Sequence, residues 1–363
     1  MKGRVAALVG PEEVSVKEFD VPEPEPGAVL VRVRRANLCG SEVHIYHFHH
    51  PLIRECVLGH EFVGEVAALG EGVETDYAGN EVHVGDRVVA PYFLTCRKCP
   101  ACLRGDFNLC QRAYEFWSQP PEIEPHFHGS FATHYYVHPE QYFYKVPDEI
   151  PDKVVAGANC GLSQVLFGLH QIGLSSGDSL VIQGAGGLGL YAAAVGKDMG
   201  ARVIMVEGIP ERIDLAKRFG AEHIVDMRMY ETSEQRVDHV QDLTGDYGAD
   251  VVLEVAGVPA AFLEALQLAR PGGKVIGIGN VNVGEEHEVS VSPGLITRKN
   301  LHVQGFVRYQ PWYLHRALEF LRRKHRDHPF DELTDREYAL EDVGEAVERE
   351  EAREVARPAI VPS

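Results

Sequence analysis

Four cysteines fall within fifteen residues of this chain. Cys96, Cys99, Cys102 and Cys110 follow the spacing C-x2-C-x2-C-x7-C. Four thiolates on one short loop can close a tetrahedron around zinc, an ion with no geometric preference of its own. The loop also carries Lys98, Pro100 and Gly105 and offers little apolar material for a core. Metal would then supply the folding energy of this lobe. The alternatives are free or disulfide-bonded cysteines, or an iron–sulfur cluster. An odd total of seven cysteines in a long chain disfavours a disulfide framework. Nothing else in the sequence suggests electron transfer.

A second candidate set is dispersed. Cys39 lies in Asn37-Leu38-Cys39-Gly40-Ser41-Glu42-Val43-His44, His60 in Leu58-Gly59-His60-Glu61, and Cys160 in Asn159-Cys160-Gly161-Leu162. A lone cysteine or histidine is usually a packed core residue. Together the three form a Cys/His/Cys set, the pattern of a catalytic zinc with an open fourth position. Zinc lowers the pKa of bound water from about 16 to about 7. An alcohol acidified in the same way loses its proton near neutral pH and then readily gives up hydride. Ser41 could accept that proton and His44 pass it towards solvent. His47, His49 and His50 crowd the same stretch, so His44 could equally be a surface histidine. Glu42 is placed to hydrogen-bond the far nitrogen of His60 and fix its tautomer. Glu61 is placed either to support a ligand or to act as an occasional ligand itself.

A third signal is Gly184-Ala185-Gly186-Gly187-Leu188-Gly189, which fits G-x-G-x-x-G. It follows an apolar run, Ser179–Gln183, and opens a helical stretch, Leu188–Met199. In that context the glycines give a tight turn and let a pyrophosphate approach the backbone, and the helix start favours the anion. The next strand, Arg202–Val206, runs into Glu207, 18 residues after Gly189. A carboxylate there can accept from the adenosine ribose hydroxyls and would repel a 2′-phosphate, which points to NAD over NADP.

These groups need two kinds of scaffold. Residues 1–150 read as mostly β, with short runs at Val29–Arg34, Phe62–Leu69, Arg87–Phe93 and Phe131–Val137 punctuated by Gly and Pro. From about residue 160 apolar strands alternate with helices. The strands are Leu180–Gln183, Arg202–Val206, His223–Asp226, Asp250–Val255, Lys274–Gly279 and Leu301–Gly305, with helical candidates at Leu188–Met199, Pro210–Phe219 and Pro259–Leu268. Six strands with crossover helices describe an α/β doubly wound parallel sheet. An amphipathic stretch, Trp312–Arg323, and an apolar run, Pro358–Val361, end the chain.

Composition removes several function classes. The 363 residues suffice for two domains. There are 35 basic and 54 acidic side chains, a formal charge of −19, which repels nucleic acid and anionic membrane. No apolar run approaches a membrane span. Lys2 and Arg4 before Val5–Val9 faintly suggest a leader, but Pro11-Glu12-Glu13 follows at once and a first strand is the better reading. The expectation is a cytoplasmic protein.

The ordered set Gly59-His60-Glu61, Gly64, Gly85-Asp86-Arg87-Val88, the four-cysteine loop and Gly184–Gly189 resembles the zinc-containing medium-chain dehydrogenase/reductase family over nearly the whole chain. The resemblance implies a GroES-like β-rich catalytic domain built from both chain ends, with a Rossmann domain inserted and the active site in the cleft between them. The expected boundaries are a catalytic domain over 1–160 with its zinc lobe at about 92–112, a Rossmann domain over 161–300, and a last strand and return over 301–363. It further implies catalytic zinc on Cys39, His60 and Cys160, and a proton relay through Ser41 and His44. Arg212 stands where a basic residue contacts the ribose, and Tyr92 where a pocket aromatic sits. Two departures stand out. Gly40 replaces a basic group that some members use for the pyrophosphate, and Cys160 replaces the glutamate frequent in the polyol branch. The implied activity is NAD-linked oxidation of a primary or secondary alcohol, with a polyol, amino-alcohol or hydroxy-terpenoid as the rival substrate. Tyr114, Phe116, Trp117, His126 and His128 either shape that pocket or pack as ordinary loop residues. Two other classes compete: a zinc hydrolase or deaminase, which would need a general-base glutamate in H-x-E with a partnered C-x-x-C, whereas here Glu61 adjoins His60 directly and a dinucleotide domain would be idle, and a non-catalytic nucleotide-binding protein. The family implies a homotetramer or homodimer.

Overall fold

The computed structural model describes residues 1–279, 283–284, 287–355 and 357–362. It divides into two compact units, Met1–Ser163 with Gln310–Ser363, and Gln164–Tyr309.

The first unit holds strands β1 (Lys2–Gly10), β2 (Glu13–Asp20), β3 (Val29–Asn37), β4 (Cys56–Val57), β5 (Glu61–Leu69), β6 (Arg87–Val89), β7 (His134–Val137) and β8 (Tyr144–Lys145). Its short helices are α1 (Gly40–Tyr46), α2 (Pro100–Leu103) and α3 (Asp152–Val155). Helix α4 (Ser163–Gln171) begins on the last residue of the Met1–Ser163 segment and otherwise belongs to the second unit. The second unit continues through β9 (Ser179–Gln183), α5 (Gly187–Asp198), β10 (Arg202–Glu207), α6 (Pro210–Arg218), β11 (His223–Asp226) and α7 (Ser233–Leu243). It ends with β12 (Ala249–Glu254), α8 (Pro259–Leu268), β13 (Ala269–Gly277), α9 (Pro293–Lys299) and β14 (His302–Gly305). The chain then returns to the first unit with α10 (Trp312–Lys324), β15 (Arg336–Tyr338), α11 (Val343–Glu351) and β16 (Pro358–Ile360).

The second unit is a six-stranded parallel sheet in the order β11-β10-β9-β12-β13-β14. All five residues of β9 are buried, as a central strand covered on both faces requires. Its order reverses beside β9, where the glycine-rich turn leaves the strand's carboxyl end, the usual ligand position in such sheets.

The first unit carries a three-stranded sheet, β2-β1-β4, and a seven-stranded one, β15-β16-β3-β5-β6-β8 with β7 also on β3. Two of the expected β-runs are shorter in the structure. The run at Arg87–Phe93 stops at Val89, because Pro91 has no N–H to donate and the Ala90 carbonyl is taken by a side chain, Asn159. The run at Phe131–Val137 starts as a strand only at His134. Ser130 and Phe131 donate instead to the carbonyls of Gly59 and Leu58, and the Phe131 carbonyl accepts from Ala6.

The Gly85-Asp86-Arg87-Val88 segment acts as a clamp. Arg87 donates to the carbonyls of Pro147, Asp148 and Ile150 and pairs with Asp152 at 2.7 Å. Asp86 pairs with Lys145 at 2.8 Å.

Candidate active site

Sheet register brings the dispersed residues together. In the antiparallel β3–β5 ladder Asn37 faces Glu61, so Cys39 leaves one strand beside His60, which enters the other. In the β16–β3 ladder Ala359 faces Asn37, which brings Arg357 to the same place. Gly59, at φ +88°, turns the chain into β5. A Cβ there would lie 2.6 Å from the Phe131 nitrogen, so only glycine fits. Cys160 comes from a wide π-helical turn, Ala158–Leu162, whose residues are all buried.

The ligand atoms of Cys39, His60, Glu61 and Cys160 all lie within 4.8 Å of one another. His60 Nε2 is 3.1 Å from the Cys160 sulfur, and its Nδ1 is 2.5 Å from Glu42 Oε1. Glu42 thus meets the His60 ring nitrogen that is turned away from Cys160. Its other oxygen accepts the Cys39 backbone N–H at 2.9 Å. Glu61 Oε2 pairs with Arg357, while Oε1 is buried without a hydrogen-bond partner. Arg357 also donates to the Leu38 carbonyl at 3.3 Å.

The ionisable groups of this cluster shift one another, and a hydrogen bond with Cys39 together with burial raises the Cys160 thiol well above its ordinary range. A hydrogen bond from Cys160, together with His60 and Arg357, holds the Cys39 thiol well below its ordinary range. Burial disfavours the His60 imidazolium, but Glu42 and Cys39 outweigh it and raise its pKa. Burial pushes Glu61 up to about 8, aided by Cys39 and Glu42 and opposed by Arg357. Sequence reasoning missed a further carboxyl, Glu350 on α11. Burial and the nearby Cys39 raise it well above the usual carboxylate range, and its Oε2 has no partner. Arg357 and Glu350 lie some three hundred residues along the chain from Cys39, so no local motif could flag them.

Ser41 and His44 occupy α1, three positions apart and half-buried, and so share one helix face. Of the aromatic candidates, Tyr92 lies 4.8 Å from the His60 ring and Trp117 5.0 Å. Tyr114 stacks on Tyr92 at 6.4 Å. Phe116, His126 and His128 gather elsewhere. Phe116 meets His128 edge-on, and His126 stacks on Phe19 at 4.2 Å. Phe116 and His126 line a surface cavity of about 580 Å³ that shares no lining residue with the cysteine clusters. Cys56 is a fully buried thiol whose pKa burial raises.

The four-cysteine loop folds back on itself through α2 and a 3-10 turn, Phe107–Leu109. Its four sulfurs lie within 4.8 Å of one another. Cys96 donates its N–H to the Cys110 sulfur at 3.4 Å, and Cys99 donates to that of Cys96 at 3.3 Å. Backbone N–H groups of Cys102 and Gln111 lower Cys99 to about 6. The Gln310 side chain anchors the lobe, accepting from the Phe107 N–H at 3.1 Å and donating to the Gly105 carbonyl at 2.9 Å.

In the second unit the glycine loop joins β9 to α5. Gly184 has φ +101°, and a Cβ on Gly189 would lie 1.8 Å from the Gly184 oxygen. A Cβ on Gly186 would meet nothing within 4 Å, which leaves the open approach a phosphate requires. Gly187 and Leu188 start α5 half-exposed. Glu207 ends β10 and binds backbone of the glycine loop and of its own turn. Its Oε2 accepts from Ala185 at 2.9 Å, and its Oε1 accepts from Gly208 and Ile209 at 2.6 and 3.0 Å. A carboxylate has about four acceptor sites, so one is left for a ribose hydroxyl. Arg212 is half-exposed on α6.

This architecture, with a Cys/His/Cys cluster on one unit and a dinucleotide turn on the other, defines an oxidoreductase. Residues 25–148 match the alcohol dehydrogenase GroES-like domain, and residues 187–323 match the zinc-binding dehydrogenase domain. The chain is 31% identical to 5-exo-hydroxycamphor dehydrogenase of Pseudomonas putida, with 98% of each chain covered. It is 30% identical to sorbitol dehydrogenase of Bacillus subtilis, covering 95% of this chain and 93% of that one. The crystal structure of an alcohol dehydrogenase from Thermotoga maritima superposes with a TM-score of 0.93 at 26% identity, all of both chains being covered. The chain belongs to the zinc-dependent medium-chain dehydrogenase/reductase family.

Proposed function

We propose that this protein oxidises a primary or secondary alcohol to an aldehyde or ketone, reversibly, with NAD as hydride acceptor. The observation that carries the proposal is the convergence of Cys39, His60 and Cys160, with His60 oriented by Glu42. These three would hold the catalytic zinc, and Cys96, Cys99, Cys102 and Cys110 a structural one. Both donor sets fit: one is all sulfur, the other mixed, with the partnerless Glu61 oxygen beside it. Bound at the first set, zinc would act as a Lewis acid at the substrate oxygen.

The chain's own residues do the rest. Glu42 holds the His60 ring so that Nε2 faces the cluster. Ser41 takes the hydroxyl proton and His44 carries it outward along one face of α1. Tyr92 and Trp117, against the His60 ring, keep water away and offer an apolar wall to the substrate. Gly184, Gly186, Gly187, Leu188 and Gly189 present backbone to the pyrophosphate, Glu207 takes the adenosine ribose and Arg212 assists.

A second reading is a polyol, amino-alcohol or hydroxy-terpenoid substrate on the same machinery. The sequence similarity to the sorbitol and 5-exo-hydroxycamphor enzymes favours it. The test is NADH absorbance during turnover of a broad alcohol panel with NAD and with NADP. Reduction of NAD by at least one alcohol is expected. No reduction by any alcohol, in protein holding two zincs and NAD, would support a non-catalytic protein. A strong preference for NADP would sink the reading of Glu207.

A further inference from the structure

Asn159 precedes Cys160 in the π-helical turn and is wholly buried. Its side-chain Nδ2 donates two hydrogen bonds of 2.8 Å, one to the His60 carbonyl and one to the Ala90 carbonyl. The first acceptor is the backbone of a proposed zinc ligand, and the second lies just past the end of β6. The turn is closed from its far end by Ser163, whose hydroxyl donates to the Ala158 carbonyl at 2.5 Å. Both N–H groups of one amide are thus spent on two other elements, at the place where the ligand set converges.

We propose that Asn159 is a positioning residue. Its amide fixes the Cys160 turn against the His60 turn and so sets the spacing of the proposed catalytic zinc ligands before metal arrives. The proposal rests on the zinc reading of Cys39, His60 and Cys160. The physical case is that a cysteine on a wide, irregular turn lacks the regular i→i−4 ladder that would hold it. A cross-link between backbones replaces that ladder, and it leaves the ligand side chains free to settle on a metal. A residue that only filled space would need no donors. Leaving two buried carbonyls unpaired is costly, and the cost here falls on the backbone of a ligand.

Asn159→Asp keeps the shape and removes both donors. Asn159→Ala removes them without adding charge and decides the matter if the Asp variant does not fold. The measurements are zinc per chain during dialysis against a chelator, and the visible absorption of cobalt-substituted protein. Wild type is expected to hold two zincs. The variant should release one of them at least tenfold faster, in line with the tenfold to hundredfold cost of losing a group that supports a ligand. The four-cysteine zinc should stay, which also reports that the chain is folded. The cobalt bands of the weakened site should shift. Unchanged release and unchanged bands, even with a lower melting temperature, would overturn the proposal and leave Asn159 a packing residue. Fewer than two zincs in wild type would instead overturn the zinc reading beneath it.

Discussion

His60 shows how much of the proposed chemistry depends on groups that never touch a substrate. One ring nitrogen faces Glu42 and the other faces the cluster. Because Glu42 also accepts the Cys39 N–H, one carboxylate orients two proposed ligands at once. Glu42→Gln weakens both interactions with little change in shape. Supporting groups of this kind typically carry a tenfold to hundredfold effect. A fall of that size in kcat/KM is expected, together with weaker retention of one zinc, and metal analysis with steady-state kinetics would check both. Wild-type values for both would show that the His60 ring is held by packing alone. The sequence exposed Glu42 because it sits three residues from Cys39. It concealed Arg357, whose pairing with Glu61 spans 296 positions and depends on the register of two ladders.

At the scale of elements, the legible parts were those with a strong local signature. The six strands of the parallel sheet were readable from apolar runs between helical stretches, and the structure places all six within a residue or two at most edges, β13 starting earlier. The short helix α1 was not readable, because seven residues are too few for a 3.6-residue pattern to stand out. Nor was the π-helical turn bearing Cys160, which has no sequence rule of its own. The glycine turn between β9 and α5 makes a sharp prediction. With a Cβ on Gly189 falling 1.8 Å from the Gly184 oxygen, Gly189→Ala must open the turn. Overpacking of this kind costs about 1–3 kcal/mol, which, if felt wholly in the bound turn, is roughly fivefold to 150-fold in affinity. Calorimetry should show NAD binding weakened to that extent with zinc content unchanged, and unaltered binding would remove the turn from the cofactor site. Helix α11 gives a prediction in pH. His47, just past α1, meets Glu12 at 2.9 Å and Glu351 of α11 at 3.0 Å, with the His49 ring stacked beside it. Burial opposes its charge, but the bonds to Glu351 and Glu12 prevail and raise its pKa. A raised folded-state pKa means stabilisation that is full below the unfolded value near 6.5 and lost as pH rises through the folded one. The melting-temperature gap between wild type and His47→Gln should therefore be wider at pH 6 than at pH 9. A gap that grows with pH would contradict the stabilising pairing of His47 with Glu12 and Glu351.

At the scale of the molecule, the charge of −19 repels nucleic acid and anionic membrane surfaces, and no helix among the described residues is long and apolar enough to cross a membrane. The sheet of the second unit then poses a problem of its own. Its edge strand β14 exposes all four residues, His302, Val303, Gln304 and Gly305. Natural edges are normally blunted by lysine, proline, a bulge or a covering element, since unpaired backbone groups recruit another strand. None of those residue types occurs in β14. The partner that answers this edge most economically is a second copy of the same strand. Two-fold symmetry would make that pairing antiparallel, each residue i of one strand facing a residue j of the other while j of the first faces i of the second. Two lysines on the edge, His302→Lys with Val303→Lys, should then split the assembly by like-charge repulsion without touching either cysteine cluster. Light scattering should give the wild type a mass of two or four chains and the double variant a smaller species, with zinc content preserved. A wild-type monomer, or a double variant of unchanged mass, would show that β14 is left bare in solution and that any assembly uses another surface.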